Sequence, residues 1–323
     1  MQKVAFWMPT FNEAKYLART IDTVMAQTHL GVELIISDNH STDGSRDIIA
    51  QYMARHSNIQ LWSPPEHCDA LDHFFFMWAK LKRLEYDFFI HTGGHDWIDS
   101  RYVELLLQAK NAHPSASIVC GRGLALDKAD QILGEYSGKT PGLQGPYTPF
   151  NPFSIILMTS SNVAIHGLMP ASIVRRVDFR YKCPAVDVMF VAEASTYGDV
   201  VYVPDAVFYQ RISGANTAGY LEKHMGVSDG DTDSLARIMN MQFQYLSEVA
   251  DLACAPLPPQ FRGLYKSALM GAYYVKWCAP DHTSGALVHI GPVVEKFLAD
   301  MDRSSKDVEH GLKAFFAHPV TAS

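Results

Sequence analysis

The sequence predicts an α/β fold in which a mostly parallel sheet is flanked by helices and continued by a C-terminal helical region. Two observations carry that expectation. Short apolar runs alternate with helix-period segments over roughly the first third of the chain, the pattern of repeated strand–helix–strand units whose parallel strands are covered on both faces. Polar and turn-forming residues fall directly after those runs, at positions 10–13, 38–43 and 92–96, and open parallel sheets bind ligands beyond the carboxyl ends of their strands.

Each element follows from its own residues. Residues 4–8 are an apolar run ended by Pro9, and residues 15–27 then place Leu17, Ile21, Val24 and Met25 on one helical face. Residues 33–37 form a second buried run. The turn Ser41-Thr42-Asp43-Gly44 starts a helix carrying Ile48, Ile49, Tyr52 and Met53, with Asp43 as its cap. Strand signals at 59–62, 88–91 and 117–120 alternate with helix signals at 71–84 and 102–111. Residues 134–155, rich in Gly, Pro and Tyr, read as a long loop lying across the sheet as a lid. Strands and short helices resume over 156–212. From about Asp231, the residues Leu235, Ile238, Gln242, Tyr245, Val249 and Leu252 keep one helical face, positions 255–259 break it, and two more helical stretches follow. The expected division is a sheet-based domain over 1–220 and a helical region over 221–323.

Composition bounds the function. The chain has 323 residues, 48% hydrophobic and 19% charged, which is globular rather than disordered or fibrous composition. A net charge of −7 excludes a globally basic surface, so nucleic acid is not an expected partner. Five cysteines without CxxC spacing argue against a disulfide framework or a structural zinc site and fit a reducing, cytoplasmic setting. Met1-Gln2-Lys3 runs straight into a strand-like segment with no signal-peptide pattern, and no apolar run approaches the ~20 residues of a membrane helix. Contact with a membrane would therefore be peripheral, at its inner face. The fourteen histidines contain no HExxH pattern, so a zinc hydrolase is not supported. Tyr273, Tyr274 and Trp277 beside Lys266 and Lys276 offer a membrane-surface or oligomer contact, with core packing as the simpler reading.

Three strand ends hold the chemistry-bearing residues. Asn12 and Glu13 precede a helix and read either as caps or as ligand contacts. Asp38 and Asn39 end the second strand, where a carboxylate can accept from a base N–H or a ribose hydroxyl. In Phe88-Phe89-Ile90-His91-Thr92-Gly93-Gly94-His95-Asp96-Trp97, a buried strand runs into two glycines and then an acid. Glycines admit close backbone approach, and a carboxylate beside phosphates needs a divalent cation between them, His95 suiting Mn²⁺ better than Mg²⁺. The competing reading is a plain turn with Asp96 or Asp99 as a cap. A dinucleotide-binding site would need GxGxxG after the first strand, where Pro9-Thr10-Phe11-Asn12-Glu13 stands instead.

Residues 4–13, 33–44 and 88–97, in this order and spacing, resemble the family 2 glycosyltransferases of the GT-A fold. The resemblance covers about the first 125 residues. It continues more weakly through Ser160-Ser161-Asn162, Arg175-Arg176, Ala185-Val186-Asp187, Tyr197-Gly198, Val203-Pro204 and Tyr209-Gln210-Arg211. It implies a GT-A type, Rossmann-like sheet, with residues 1–125 binding nucleotide and 126–220 placing the acceptor. It implies that Pro9, Thr10, Asn12, Glu13, Asp38, Asn39, Gly94 and His95 line a nucleotide-sugar pocket. Asp96, with His95, would hold Mn²⁺ or Mg²⁺, and Asp187 would be the general base. The chain departs from the family pattern at Gly94, where the metal motif's first acid is missing, at Val186, and at Asn39. The implied activity is inverting, hexosyltransferase-like transfer from a nucleotide sugar, UDP favoured, to a glycan or lipid-linked glycan in cell-surface polysaccharide or glycoconjugate synthesis. The alternative is a non-catalytic sugar-nucleotide-binding or scaffold protein with a degraded metal motif.

Overall fold

The structure is a computed structural model. It describes residues 1–135, 163–178, 186–211 and 232–273, the side chains of the last stretch over 241–270. Within these residues the chain runs β1 (Val4–Thr10), α1 (Ala14–Met25), β2 (Val32–Asp38), α2 (Ser45–Met53), β3 (Ile59–Trp62), α3 (Ala70–Leu81), β4 (Phe88–His91) and β5 (Trp97–Ile98). Then come α4 (Tyr102–Ala112), β6 (Ala116–Leu126), β7 (Ile132–Glu135), a 3₁₀ turn (Val163–His166), β8 (Met169–Pro170), α5 (Ala171–Arg176), α6 (Val186–Ala194), β9 (Asp199–Arg211), α7 (Thr232–Cys254) and α8 (Pro259–Tyr273).

The expected parallel sheet is present as β3-β2-β1-β4, with β8 added antiparallel at its edge. A second sheet, β5-β9-β6-β7, forms around the strand expected at 117–120, with β9 falling in the 156–212 stretch where strands and short helices are expected. That strand runs on to Leu126 because β9 lies parallel along its length and β7 folds back antiparallel on its far end. Gly121 and Gly123 hide this continuation, since glycine packs no side chain on a sheet and its pairing is supplied from elsewhere in the chain. Ile132 to Glu135 of the expected lid loop are strand, and the rest of that loop lies outside the described residues.

Alternation along β1 sorts the core into two layers. Val4, Phe6 and Met8 face Leu17, Ile21 and Val24 of α1 together with Leu106 of α4. Ala5 and Trp7 face the other way, into a layer shared by Trp78 of α3, Phe190 of α6 and Leu246 and Val249 of α7. The C-terminal helices therefore complete the core of the sheet domain. Tyr245 and Val249 lie on the buried face as expected, but Leu252 is 42% exposed, because the buried stripe passes through Leu246, Ala250 and Ala253. Leu235 and Ile238 lie within α7, their side chains outside those described, and the boundary near residue 220 and Tyr274 through Trp277 lie outside the described residues. Lys266 pairs with Asp251 at 2.8 Å. No described helix is long and apolar enough to cross a membrane.

One junction of the second sheet is tight enough to test. The β6–β9 pairing shifts between Gly121 and Arg122, where β9 carries extra residues around Pro204. A β-carbon on Gly121 would meet the Ala206 carbonyl and come within 2.6 Å of the Tyr102 ring. Gly121→Ala is expected to cost about 1–3 kcal/mol of stability, the usual range for overpacking. Thermal or denaturant unfolding measures it, and an unchanged midpoint would show that the bulge yields.

Candidate functional site

Sheet register brings the predicted residues together. Thr10 and Asp38 are direct neighbours at the carboxyl ends of β1 and β2, and β4 flanks β1 on its other side. The Asn39 N–H donates to the Thr10 carbonyl at 2.9 Å, and the Thr92 N–H to the Trp7 carbonyl at 3.1 Å. Pro9 to Glu13, Asp38 to Asn39 and Thr92 to Asp96 thus share one edge of the sheet.

Several of these side chains build the edge. Asn12, at φ 54°, accepts the Thr42 N–H at 2.8 Å, while its own N–H donates to Ser41 Oγ at 2.9 Å. Asp43 accepts from the Ala14 N–H at 2.9 Å and from the Ser45 hydroxyl at 2.6 Å, so one carboxylate ties the starts of α1 and α2. Burial pushes the Asp43 carboxyl up, but these hydrogen bonds outweigh it and hold the group below its ordinary value. Asp38 is fully buried; it takes the Ser41 N–H and pairs with Arg46 Nε at 2.9 Å. Asn39 grips the Cys68 backbone through both ends of its amide, at 2.7 and 3.1 Å.

The Asn39 carbonyl also bonds His67 Nδ1 at 3.0 Å, and the His67 ring lies 4.6 Å from the ring of Phe11. Phe11 is 44% exposed. Sequence reasoning missed this aromatic shelf. Phe11 carried a signal, an aromatic inside the first strand-end motif; His67 carried none, because the β3–α3 loop reaches the site only through the fold.

The β4 end is closed more tightly than its motif suggests. Asp96 is 2% exposed, its Oδ2 accepting the Gly93 N–H at 2.9 Å and its Oδ1 the Arg211 N–H at 3.0 Å. Arg211, the last residue of β9, is itself buried: its guanidinium lies 3.9 Å from the Tyr16 ring and bonds Asp130 and the Asp127 carbonyl. His95 Nδ1 sits 2.7 Å from Glu13 Oε1. A β-carbon at Gly94 would lie 3.1 Å from Glu13 Cγ and 3.4 Å from Thr10 Oγ1. Among the described residues no three His, Cys, Asp or Glu side chains converge to hold a metal ion. His95 and Asp96 do not fit the divalent cation that the sequence motif implies, since Asp96 is buried on backbone donors and His95 is turned onto Glu13.

Asp187 lies in the first turn of α6, half-exposed, rather than at its cap; every other residue of that helix is buried. The charges of Asp96 and Asp187 both act on the His166 imidazole, which relates the two carboxylates to one neighbourhood. His166 is 2% exposed, stacked 4.1 Å from Phe208, with Nδ1 on the His91 carbonyl at 3.0 Å. Glu193, the rival acid, is 3% exposed and bonded to the Asp178 N–H, Tyr197 Oη and Tyr245 Oη at 3.0, 3.1 and 2.6 Å. It faces the core, so it cannot meet an acceptor.

The histidines set a pH dependence. Burial pushes His95 down, but the Glu13 hydrogen bond and the charges of Asp96 and Glu13 outweigh burial and Arg211, raising it to about 9. His73, 2.7 Å from Ser37 Oγ, is lowered by burial to about 4 against the pull of Asp38. Burial lowers His91 and His166 as well. A raised histidine stabilises fully below its unfolded value near 6.5 and loses that contribution as pH rises through about 9. A lowered one costs stability as pH falls below about 6.5, because the unfolded chain takes the proton first. The melting temperature is therefore expected to peak near about pH 7 and to fall on both sides. A buffer series from about pH 4 to 10 tests it, and a flat alkaline limb would remove the His95–Glu13 pair from the fold's energetics.

A fold with a parallel sheet, ligand-site turns at its carboxyl edge and a flanking second sheet defines an α/β protein of the GT-A type. Residues 6–155 match the family described as Glycosyl transferase family 2. Among curated relatives, EpsE of Bacillus subtilis, named as a glycosyltransferase, is 26% identical over 183 residues, covering 54% of this chain and 63% of its own length. An uncharacterised glycosyltransferase of Nostoc sp. is 47% identical over 49 residues, 15% of either chain. The chain thus spans less than two thirds of either relative. TarS residues 1–349 of S. aureus, solved in complex with UDP-GlcNAc, superposes with a TM-score of 0.62 at 14% identity, covering 93% of this chain and 80% of that one. The mannosyltransferase PcManGT of Pyrobaculum calidifontis, solved with GDP-Man and Mn²⁺, gives a TM-score of 0.51 at 14% identity, covering 98% and 81%.

Proposed function

We propose that this protein is an inverting glycosyltransferase that moves a sugar from a nucleotide-sugar donor, UDP favoured, to a hydroxyl of a glycan or lipid-linked glycan. The observation that carries the reading is the convergence of the turns after β1, β2 and β4 on one sheet edge, with Asp187 as the one partly exposed residue of α6. In this reading the base stacks at the Phe11–His67 shelf and the diphosphate lies toward Gly94 and His95. Asn39 holds the shelf through its carbonyl on His67, and Asp38 holds the turn at 41–46 beside it. Asp187 takes the proton of the acceptor hydroxyl. The oxygen then bonds to the anomeric carbon as the carbon–phosphate-oxygen bond breaks, and the nucleoside diphosphate leaves with the electron pair.

A relative named as a teichuronic acid biosynthesis glycosyltransferase, TuaG of Bacillus subtilis, 46% identical over 44 residues, supports a place in surface polysaccharide synthesis. Gly94 in place of the metal motif's first acid favours a second reading, a protein that binds the donor without transferring it. Thermal stability measured against UDP, GDP, dTDP and CMP, each free and as its sugar conjugate, tests the first half: a ligand at one hundred times its dissociation constant adds about 2.7 kcal/mol. Release of nucleotide from the conjugate separates the two readings. No shift with any nucleotide would refute both.

A further inference from the structure

We infer that the donor diphosphate is engaged here without a divalent cation: the Glu13–His95 pair stands where the family's motif places an acid and its metal, and Asp96 is a backbone clip. The inference rests on the donor-binding reading above and deepens it.

Three independent features lead to it. A cation bridging protein and diphosphate needs a carboxylate oxygen open to the ligand. Each Asp96 oxygen instead accepts a backbone N–H, one from Gly93 on its own turn and a buried one from Arg211 at the end of β9, and the group is 2% exposed. Those bonds join the β4 turn to the second sheet, a structural duty that needs a carboxylate's two acceptors and explains the acid without a metal. A β-carbon on Gly93 would lie 2.8 Å from Asp96 Oδ2, so the turn is also packed onto that oxygen.

Next, the place of the missing acid is crowded. A β-carbon at position 94 would lie 3.1 Å from Glu13 Cγ, so an acid there would need the Glu13 side chain to give by a few tenths of an ångström. Glycine at 94 lets Glu13 keep its present place beside His95.

Last, the replacement has its own geometry. Glu13 Oε1 receives His95 Nδ1 at 2.7 Å, which fixes the ring and leaves Nε2, 3.9 Å from Asp96 Oδ1, without a hydrogen bond among the described residues. The His95 side chain is 28% exposed, against 2% for Asp96. The accessible group at this turn is thus a nitrogen held for a phosphate oxygen, while the hard oxygen ligand is buried.

The test uses the full chain and measures binding rather than turnover. Affinities for UDP, GDP, dTDP and CMP are taken by calorimetry in EDTA and in Mn²⁺, and electron paramagnetic resonance counts protein-bound Mn²⁺ with and without the tightest nucleotide. The expected result is an affinity equal within about twofold in the two media, with no protein-bound Mn²⁺. His95→Ala is expected to weaken binding in EDTA by roughly tenfold, the scale of one lost charge-assisted hydrogen bond. Glu13→Gln, which keeps an acceptor for Nδ1, should lose less. Tightening by Mn²⁺ of tenfold or more, or a bound-Mn²⁺ signal that Asp96→Asn removes, would overturn the inference while leaving the donor-binding reading intact. Binding in neither medium would overturn both. Should Asp96→Asn fail to fold, the Mn²⁺ signal of the unaltered chain decides alone.

Discussion

Asp187→Asn is expected to lower turnover by ~10²–10⁴-fold while donor affinity changes by no more than about twofold. The rest of α6 is buried, with Phe190 packed edge-on to Trp78 at 4.7 Å, so the helix is fixed and Asp187 is its one partly exposed residue. Asparagine keeps the size and the hydrogen-bonding reach of the side chain but cannot take a proton. A base acts in the transition state only, so kcat and kcat/KM should fall together while the donor's dissociation constant stays put. Single-turnover rates with saturating donor, beside calorimetric donor affinity, make the measurement. Turnover within about threefold of the unaltered enzyme would strip Asp187 of the role.

The largest expected loss of stability is at Glu193. Glu193→Ala is expected to cost about 3–5 kcal/mol, because three donors, one buried and two part-buried, lose their acceptor at once. Those donors come from three places: the Asp178 backbone after α5, Tyr197 after α6, and Tyr245 on α7. Burial raises the Glu193 carboxyl above its ordinary value while these bonds pull the other way. Their joint effect is to pin the C-terminal helices to the sheet domain. In a chain of this size the melting temperature should drop by roughly 5–15 °C. Tyr245→Phe removes one of the three bonds and should cost about 1 kcal/mol. A Glu193→Ala protein that melts with the unaltered one would show that α7 is held by apolar packing alone.

Much of the fold was legible because its signals are local. Strand β4 and strand β3 stand where their apolar runs predict them, the first helix differs from expectation by one residue at its start and two at its end, and the second follows the turn that predicts it. Such elements are set by hydrophobic period and turn chemistry, which the chain carries within a few residues. The order of the three strand-end segments was legible for the same reason, and it led to the family before any geometry was known.

What the sequence by itself determined, then, is the parallel sheet, its carboxyl-edge turns and the residues that gather there. Only the tertiary structure decided what those residues do. Asn12, Asp38 and Asn39 spend their polar atoms on the turns at 41–45 and 67–68. Asp96 meets a backbone donor 115 positions away, and Glu13 fills the space beside Gly94. The second sheet, too, exists only because β9 returns beside β6. A carboxylate's role depends on which donors surround it and on its exposure, and both are fixed by contacts between segments distant in the chain, which no local pattern of residues can encode.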